Sequence, residues 1–335
     1  MTSHLLEMNR WHIFEYIDFM GSDECTHEAL DTFARRVLLK HVHMSVLCHG
    51  NIDAAGATAL VEEAATALGS RPLGLSQVPT PRLLQLPADV EVVCRLHESL
   101  VAPRFAALLN ADEKNCALEL TLQSGLDARP ASLYCELLGQ ILQHPCFERL
   151  RTSEQLGYLV NLATRYELGV YGLRVIVQSA SHDAAYLDER VEAFFAGVPA
   201  LLEGLSADEF ANHKEAILKD KLEPPKTLRH ESGIYWNEIA QGTYDFQGHF
   251  ADADALAQVT QADVLAFWNA TFDASAAGRR KLSTQVIAAH LPLPPKRSTG
   301  VNGRPVHYVD GFDDVIEYKR TLAAFPAPPR ADPQQ

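Results

Sequence analysis

The sequence predicts an α+β protein: an antiparallel-rich sheet covered by helices on one face. Three observations carry that expectation. Period-two alternation puts Val42, Met44, Val46 and Cys48 on one side of a strand, and Cys116, Leu118, Leu120 and Leu122 on one side of another. A hairpin pattern spans 156–177, with Leu168 and Gly169 near its turn. Helical stripes lie between and after these strands, as in Leu30, Phe33, Ala34, Val37 and Leu38.

The elements follow in order. Trp11, Phe14 and Ile17 recur at near-helical spacing, and Gly21 with Ser22 ends that run. Gly50 and Asn51 turn the 41–49 strand, Asp53 stands where a cap is needed, and 54–68 reads as a helix. The stretch 69–80, with Pro72 and Pro79, is the clearest linker. Beyond it, 82–86 and 90–93 read as short strands broken by Pro87, and 97–114 as an irregular inserted loop. The apolar run 133–150 predicts a long helix interrupted late by Pro145. Leu187, Val191, Phe194 and Phe195 form the next apolar face. Ser206 and Glu209 make a capping-box pattern, Pro224 and Pro225 precede a helix over 228–239, and Thr260 with Asp263 opens another ending near Thr271. A last strand is expected over 282–289, and past Pro292 the proline content predicts an extended tail.

At 335 residues the chain has room for two domains. Its formal charge of −14 repels phosphate backbones and anionic lipid, which argues against nucleic acid and membrane as partners. There is no apolar run of about 20 residues to cross a bilayer and no signal-peptide core at the N-terminus, so a cytoplasmic protein is expected. The six cysteines include no C-x-x-C pair and read as buried free thiols.

Several residue groups bear on chemistry. His41, His43 and His49 share one face of the expected 41–49 strand and could offer metal ligands, or could simply be its polar side. No two of the 14 histidines are four apart, so neither H-E-x-x-H nor H-x-x-E-H exists in this chain, and no metal site is assigned. Ser181, His182 and Asp183 are triad residue types in a row, but adjacent residues point apart, and a helix N-cap is the better reading. Between 144 and 158 a helix gives way to a polar turn with Arg151, Glu154 and Gln155, and then to a strand at Tyr158. Arg151 and Tyr158 are donors that can address a carbonyl or an oxyanion. On pattern alone, an Arg151–Glu154 pair closing the turn is the simpler account.

The stretch HPCFERLRTSEQLGYLV, beginning at His144, resembles the hallmark segment in the C-terminal half of insulin-degrading-enzyme-type (insulysin/pitrilysin) inverzincin metallopeptidases. The likeness continues through GLRVIVQS, YLDERVEAFF, LEPPKTL and YWNEI, and back through NCALELTLQSG to LLKHVHMSVLCHGNID. It runs over residues 29–325. The resemblance implies a fold like that of LuxS and the mitochondrial processing peptidase. It implies a partial third family domain at 1–75, a complete fourth domain at 76–300, and a proline-rich extended tail at 301–335. It further implies that zinc and its ligands belong to a missing N-terminal half, and that this chain binds none. Partners would be peptide substrates and a zinc-bearing half or homologous subunit. Arg151 would then hydrogen-bond a substrate main-chain carbonyl, and Tyr158 would donate to the carbonyl oxygen as charge develops there. The expected function is the substrate-binding half of a zinc metalloendopeptidase, inactive alone. The alternative is a non-catalytic relative that holds peptides or assembles subunits. The remnant of the third domain is expected to expose apolar helix faces.

Overall fold

The computed structural model describes residues 1–102, 105, 110, 112–126, 128–241 and 243–327. Helix α1 (Thr2–Leu6) is followed by α2 (Ile13–Met20) and α3 (His27–Phe33), which runs into a π-helical turn over Ala34–Leu38. Next come β1 (His41–Val42), α4 (Ala54–Leu68) and β2 (Arg71–Pro72). Then β3 (Glu91–Leu96), β4 (Cys116–Leu126), α5 (Ala131–Cys146), β5 (Leu159–Glu167) and β6 (Val170–Ser179) follow. Helices α6 (Ala184–Phe195), α7 (Val198–Gly204), α8 (Ala207–Leu222), α9 (Leu228–Gln241), α10 (Gly248–Gln258) and α11 (Gln261–Thr271) come next. The last elements are β7 (Arg280–Val286), β8 (Val306–Asp310) and α12 (Gly311–Thr321).

Local chemistry accounts for many of these ends. The Asp53 carboxylate accepts the Gly56 N–H at 2.7 Å and starts α4. Reciprocal capping boxes of Ser206 with Glu209 and Thr260 with Asp263 start α8 and α11. The β5–β6 hairpin closes through Leu168 and Gly169, both at positive φ, which is the type I′ geometry that suits strand twist.

The chain divides into two units. Unit 1 comprises Met1–Arg10, Arg82–Glu223 and Gln247–Pro326. Its sheet, among the described residues, has the strand order β5-β6-β4-β7-β3-β8. The pairs β5–β6, β6–β4 and β4–β7 are antiparallel, whereas β7–β3 and β3–β8 are parallel. The sheet is therefore mixed, with antiparallel pairs in the majority. Leu118, Leu120 and Leu122 of β4, with Leu173, Val175 and Val177 of β6, turn one face toward α5, α6, α8 and α11 and form the main core. Trp268 and Phe272 fill its far side.

The opposite face is not bare. Leu5 and Leu6 of α1 and Val315 of α12 pack with Val92, Cys94, Leu282 and Val309 of the sheet. Two sequence expectations change here. The 301–335 stretch is not extended throughout, because β8 and α12 fold within it and bury Val309 and Val315. Residues 1–10 belong with unit 1 rather than with the helices that follow them. Part of the 97–114 stretch lies outside the described residues. Within it, Glu98–Leu100 forms a 3-10 turn and Phe105 is buried.

Unit 2 comprises Trp11–Pro81 and Pro224–Phe246, together with the chain's end. None of its described residues is buried. The expected 41–49 strand is paired only at His41 and Val42, which lie parallel to Arg71 and Pro72. His49 reaches α9, with Nδ1 at 2.7 Å from the Ser232 hydroxyl and its ring edge-on to Tyr235.

This difference between the units is measurable. Leu138→Ala, at a wholly buried site in the main core, should lower unfolding free energy by about 2–5 kcal/mol in a urea titration followed by circular dichroism. Leu60→Ala in α4, at a site 55% exposed, should change it by less than about 0.5 kcal/mol.

Candidate functional site

The turn that joins α5 to β5 carries the candidate site. Pro145 lies one residue inside the C-terminal end of α5, and the chain continues as a π-helical turn over Phe147–Ser153. The wider winding shows in the Glu154 N–H, which donates to the Arg149 carbonyl at 3.0 Å. Gln155 then takes a left-handed conformation (φ 52°), which ends the helical path. Leu150 and Leu156 are both buried in the main core, and the Leu156 N–H donates to the Leu150 carbonyl at 3.0 Å. Two apolar anchors thus pin the turn from below. Gly157 passes so close to β6 that an added Cβ would sit 1.8 Å from the Gln178 carbonyl oxygen. Only a residue without a side chain fits there.

With Leu156 held inside and Gly157 against β6, Tyr158 is thrown outward and is 90% exposed. The Arg151 guanidinium lies 5.7 Å from the centroid of its ring, within cation–π range. The structure thus brings together the two residues that the sequence singled out. It does not form the Arg151–Glu154 pair. Glu154 accepts instead from Arg190 Nε and Nη2 at 2.7 and 2.8 Å and from Arg149 Nε at 2.5 Å. The bonds from Arg190, and then those from Arg149, hold the Glu154 carboxyl below the usual carboxylate range. Arg151 is half-buried and has no carboxylate partner among the described residues. Arg151 and the Tyr158 hydroxyl can address a carbonyl oxygen or a developing oxyanion. Arg149 and Arg190 were not legible as supports, since Arg190 arrives from α6 with no local signal.

The other candidates resolve differently. Ser181 Oγ is 2.9 Å from His182 Nδ1, but the Asp183 carboxylate accepts the Tyr186 N–H and caps α6, so the three residues do not form a relay. His41 and His43 are exposed, and the strand meant to align them with His49 stops at Val42. Among the described residues no three His, Cys, Asp or Glu side chains converge to hold a metal ion, so the residues present do not fit a zinc site. A cavity of about 380 Å³ opens over β3, β7 and β8 beside α6, and contains neither Arg151 nor Tyr158. Sequence reading missed its floor. Lys281 is buried there, 2.8 Å from Asp188, 2.7 Å from Glu192 and 3.3 Å from Glu91, while Arg279 grips Glu192 at 2.8 Å. Burial alone would lower the Lys281 pKa, but the three carboxylates outweigh it and raise it.

Residues 137–236, which include the α5–β5 turn, match the family model "PQQ synthase PqqF-like, C-terminal lobe domain 4". Human insulin-degrading enzyme is 29% identical over 316 residues, covering 91% of this chain and 30% of that protein. The Arabidopsis thaliana "Insulin-degrading enzyme-like 1, peroxisomal" is 28% identical, covering 86% of this chain and 29% of its own length. The crystal structure of pitrilysin shares the fold, with a TM-score of 0.74 at 20% identity over 95% of this chain and 31% of that one. The chain is thus similar to insulysin/pitrilysin-type metallopeptidases and corresponds to a partial, C-terminal-like region of the full-length relatives. It spans about 30% of the length of the relatives it matches. Among the described residues no helix is long and apolar enough to cross a membrane.

Two outcomes test the construction of the turn. Gly157→Ala should destabilise unit 1 by about 1–3 kcal/mol, read from the shift of a denaturation midpoint, because β6 must move to admit the methyl group. Glu154 has a lowered pKa in the folded state, so its stabilisation is present above the ordinary carboxylate range and is lost as pH falls through the folded value. Glu154→Gln should therefore melt below the parent at neutral pH, and the gap should close on acidification below about pH 4.

Proposed function

We propose that this chain is the substrate-binding, C-terminal half of an insulin-degrading-enzyme-like zinc metalloendopeptidase. In this reading unit 2 is the remnant of a third family domain and unit 1 is the fourth. The zinc and its ligands reside in an N-terminal half outside these 335 residues, which by themselves do not hydrolyse peptides. The observation that carries the reading is that a half-buried Arg151 and an exposed Tyr158 meet on a turn anchored by the buried Leu150 and Leu156. An arginine free of carboxylate partners and a tyrosine almost wholly in solvent contribute little to folding, and both are donors.

Their roles follow from their chemistry. The Arg151 guanidinium donates to a main-chain carbonyl of an extended peptide and fixes its register. The Tyr158 hydroxyl donates to the scissile carbonyl, whose oxygen gains charge as the bond is attacked. The stacking between the two limits the motion of both, so the donors are held in place before substrate arrives. Six free cysteines suit a reducing compartment, and a cytoplasmic location is part of the proposal.

The apolar surface of unit 2 suits assembly, and would serve equally a subunit that holds peptides without chemistry. Single substitutions separate the two readings. In a complex with a zinc-bearing half, Tyr158→Phe should lower kcat on a fluorogenic peptide about 100-fold, the scale of one lost oxyanion donor. Arg151→Ala should act chiefly on KM, and neither change should move the denaturation midpoint. Unchanged kinetics in both variants would sink the catalytic role and leave the assembly subunit.

A further inference from the structure

The cavity of about 380 Å³ over β3, β7 and β8 has the size of a small-molecule site. Its floor is charged and dry: Glu91, Asp188 and Lys281 are at most 5% exposed, and Glu192 is 9% exposed. Its walls are largely apolar, with Val93, Val301, Val306, Pro294 and the ring of Tyr308. The donors at the floor are engaged. Lys281 Nζ has three N–H groups and three carboxylates in reach, those of Asp188, Glu192 and Glu91. Arg95 gives Nε and Nη2 to Asp310 and Nη1 to the Pro294 carbonyl. Arg279 Nη1 makes no hydrogen bond, but it lies 3.7 Å from Glu91 and off the cavity wall. Acceptors, by contrast, are left over. Gln285 lines the cavity at 3% exposure, and its Nε2 donates to Ser283 Oγ at 3.0 Å. Its Oε1 accepts nothing among the described residues. Asp188 Oδ2 receives only a long contact of 3.5 Å from Gln285 Nε2. The charge is unbalanced in the same sense. Glu91, Asp188 and Glu192 surround two cations, Lys281 and Arg279, so one negative charge is left unmatched. Arg95 with Asp310 and Arg297 with Glu189 are balanced pairs, and Lys296 beside Asp310 is more than half in solvent. Water can satisfy an amide oxygen, but it leaves a charge in a dry site uncompensated.

We propose that this cavity binds a small aliphatic primary amine, with its ammonium between Asp188 Oδ2 and Gln285 Oε1 and its carbon chain along Val93, Val301 and Val306. An ammonium brings three donors and one positive charge, the two things the floor lacks. A metal ion suits the site less. Among the described residues no three His, Cys, Asp or Glu side chains converge on one point, and apolar walls offer an ion nothing. An anion would meet engaged donors and surplus negative charge. The ammonium can come from a free amine or from the lysine side chain of a peptide, which share this chemistry. Neither Arg151 nor Tyr158 lines the cavity, so this site and the peptidase reading stand or fall separately.

Isothermal titration calorimetry of the full chain at neutral pH tests this with n-pentylamine, n-pentanol and pentanoate, which share a chain and differ in charge. The amine should bind with a Kd of about 1 mM or tighter, at least about tenfold more tightly than the alcohol. Gln285→Leu keeps the bulk of the side chain and removes the free oxygen. Ala185→Leu, on the cavity wall at the start of α6, fills the space instead. Each should weaken amine binding about tenfold or more while keeping the parent's circular dichroism spectrum. Should a variant misfold, the comparison of amine with alcohol on the parent chain decides alone. No binding of the amine overturns the proposal, as does an alcohol that binds equally well or an affinity that neither substitution moves. Tighter binding of pentanoate overturns it in favour of an anion site. Nα-acetyl-lysine amide separates the two sources of the ammonium. Affinity equal to that of n-pentylamine supports the site as a pocket for a peptide lysine, and affinity at least about tenfold lower supports it as a pocket for a free amine.

Discussion

The seating of α5 on the sheet is the contact on which the rest of unit 1 depends. At Gly139 the helix backbone comes so near β5 that an added Cβ would lie 2.3 Å from the Thr164 hydroxyl oxygen. Around that contact Leu137, Leu138, Ile141 and Leu142 meet the leucine row of β4. Because the helix cannot lift without opening this core, its end is fixed relative to β5 and β6. The chain must then return to β5 in a short wide turn, and the positions of Leu150, Leu156 and Gly157 follow from that demand. Arg151 and Tyr158 are what remains on the outside. Their placement is a by-product of packing carried out by other residues.

The far end of the sheet is organised by charge. Over β4 and β6 the helix-covered face is leucine and valine, whereas over β3 and β7 the same face carries Glu91, Arg95, Lys281 and Gln285. Buried ions persist there because they neutralise one another. Lys281 and Arg279 sit among Glu91, Asp188 and Glu192, and Arg95 donates to both oxygens of Asp310 at 2.7 Å. Removing one member would strand its neighbours in a dry site, so such a cluster holds geometry more firmly than it adds stability. It also ties down α6 through Asp188 and Glu192, and Arg190 on that helix is what holds Glu154. The charged end and the candidate site are thus linked through one helix.

Much of the fold was legible because its causes are local. Caps at Asp53, Ser206 and Thr260, the alternation of β4 and the hairpin at Leu168 and Gly169 each depend on residues a few positions apart. The site was legible only in part. Residue types picked out Arg151 and Tyr158, and a long family-like motif gave them a role. The partners of Glu154 were hidden, since Arg190 lies 36 residues away on another helix. Proline density around 292–305 masked the apolar pairs that fold β8 and α12. The alternation at 42–48 was real as a pattern, yet a strand needs a neighbour, and within this chain that neighbour extends only to Pro72.

The grouping of residues 1–10 with unit 1 has a consequence for how the molecule comes into being. The Leu84 N–H donates to the Leu6 carbonyl at 2.6 Å and the Phe325 N–H to the Leu83 carbonyl at 2.8 Å, so residues from both ends of this sequence grip the same short segment. During synthesis α1 precedes its partners β3, β7 and α12, the last of them by some three hundred residues. Until then Leu5 and Leu6 have no partners, and loop-closure entropy opposes early docking. The smaller core can close only once α12 has been made. Over that interval the apolar side chains of α1 are open to chaperones.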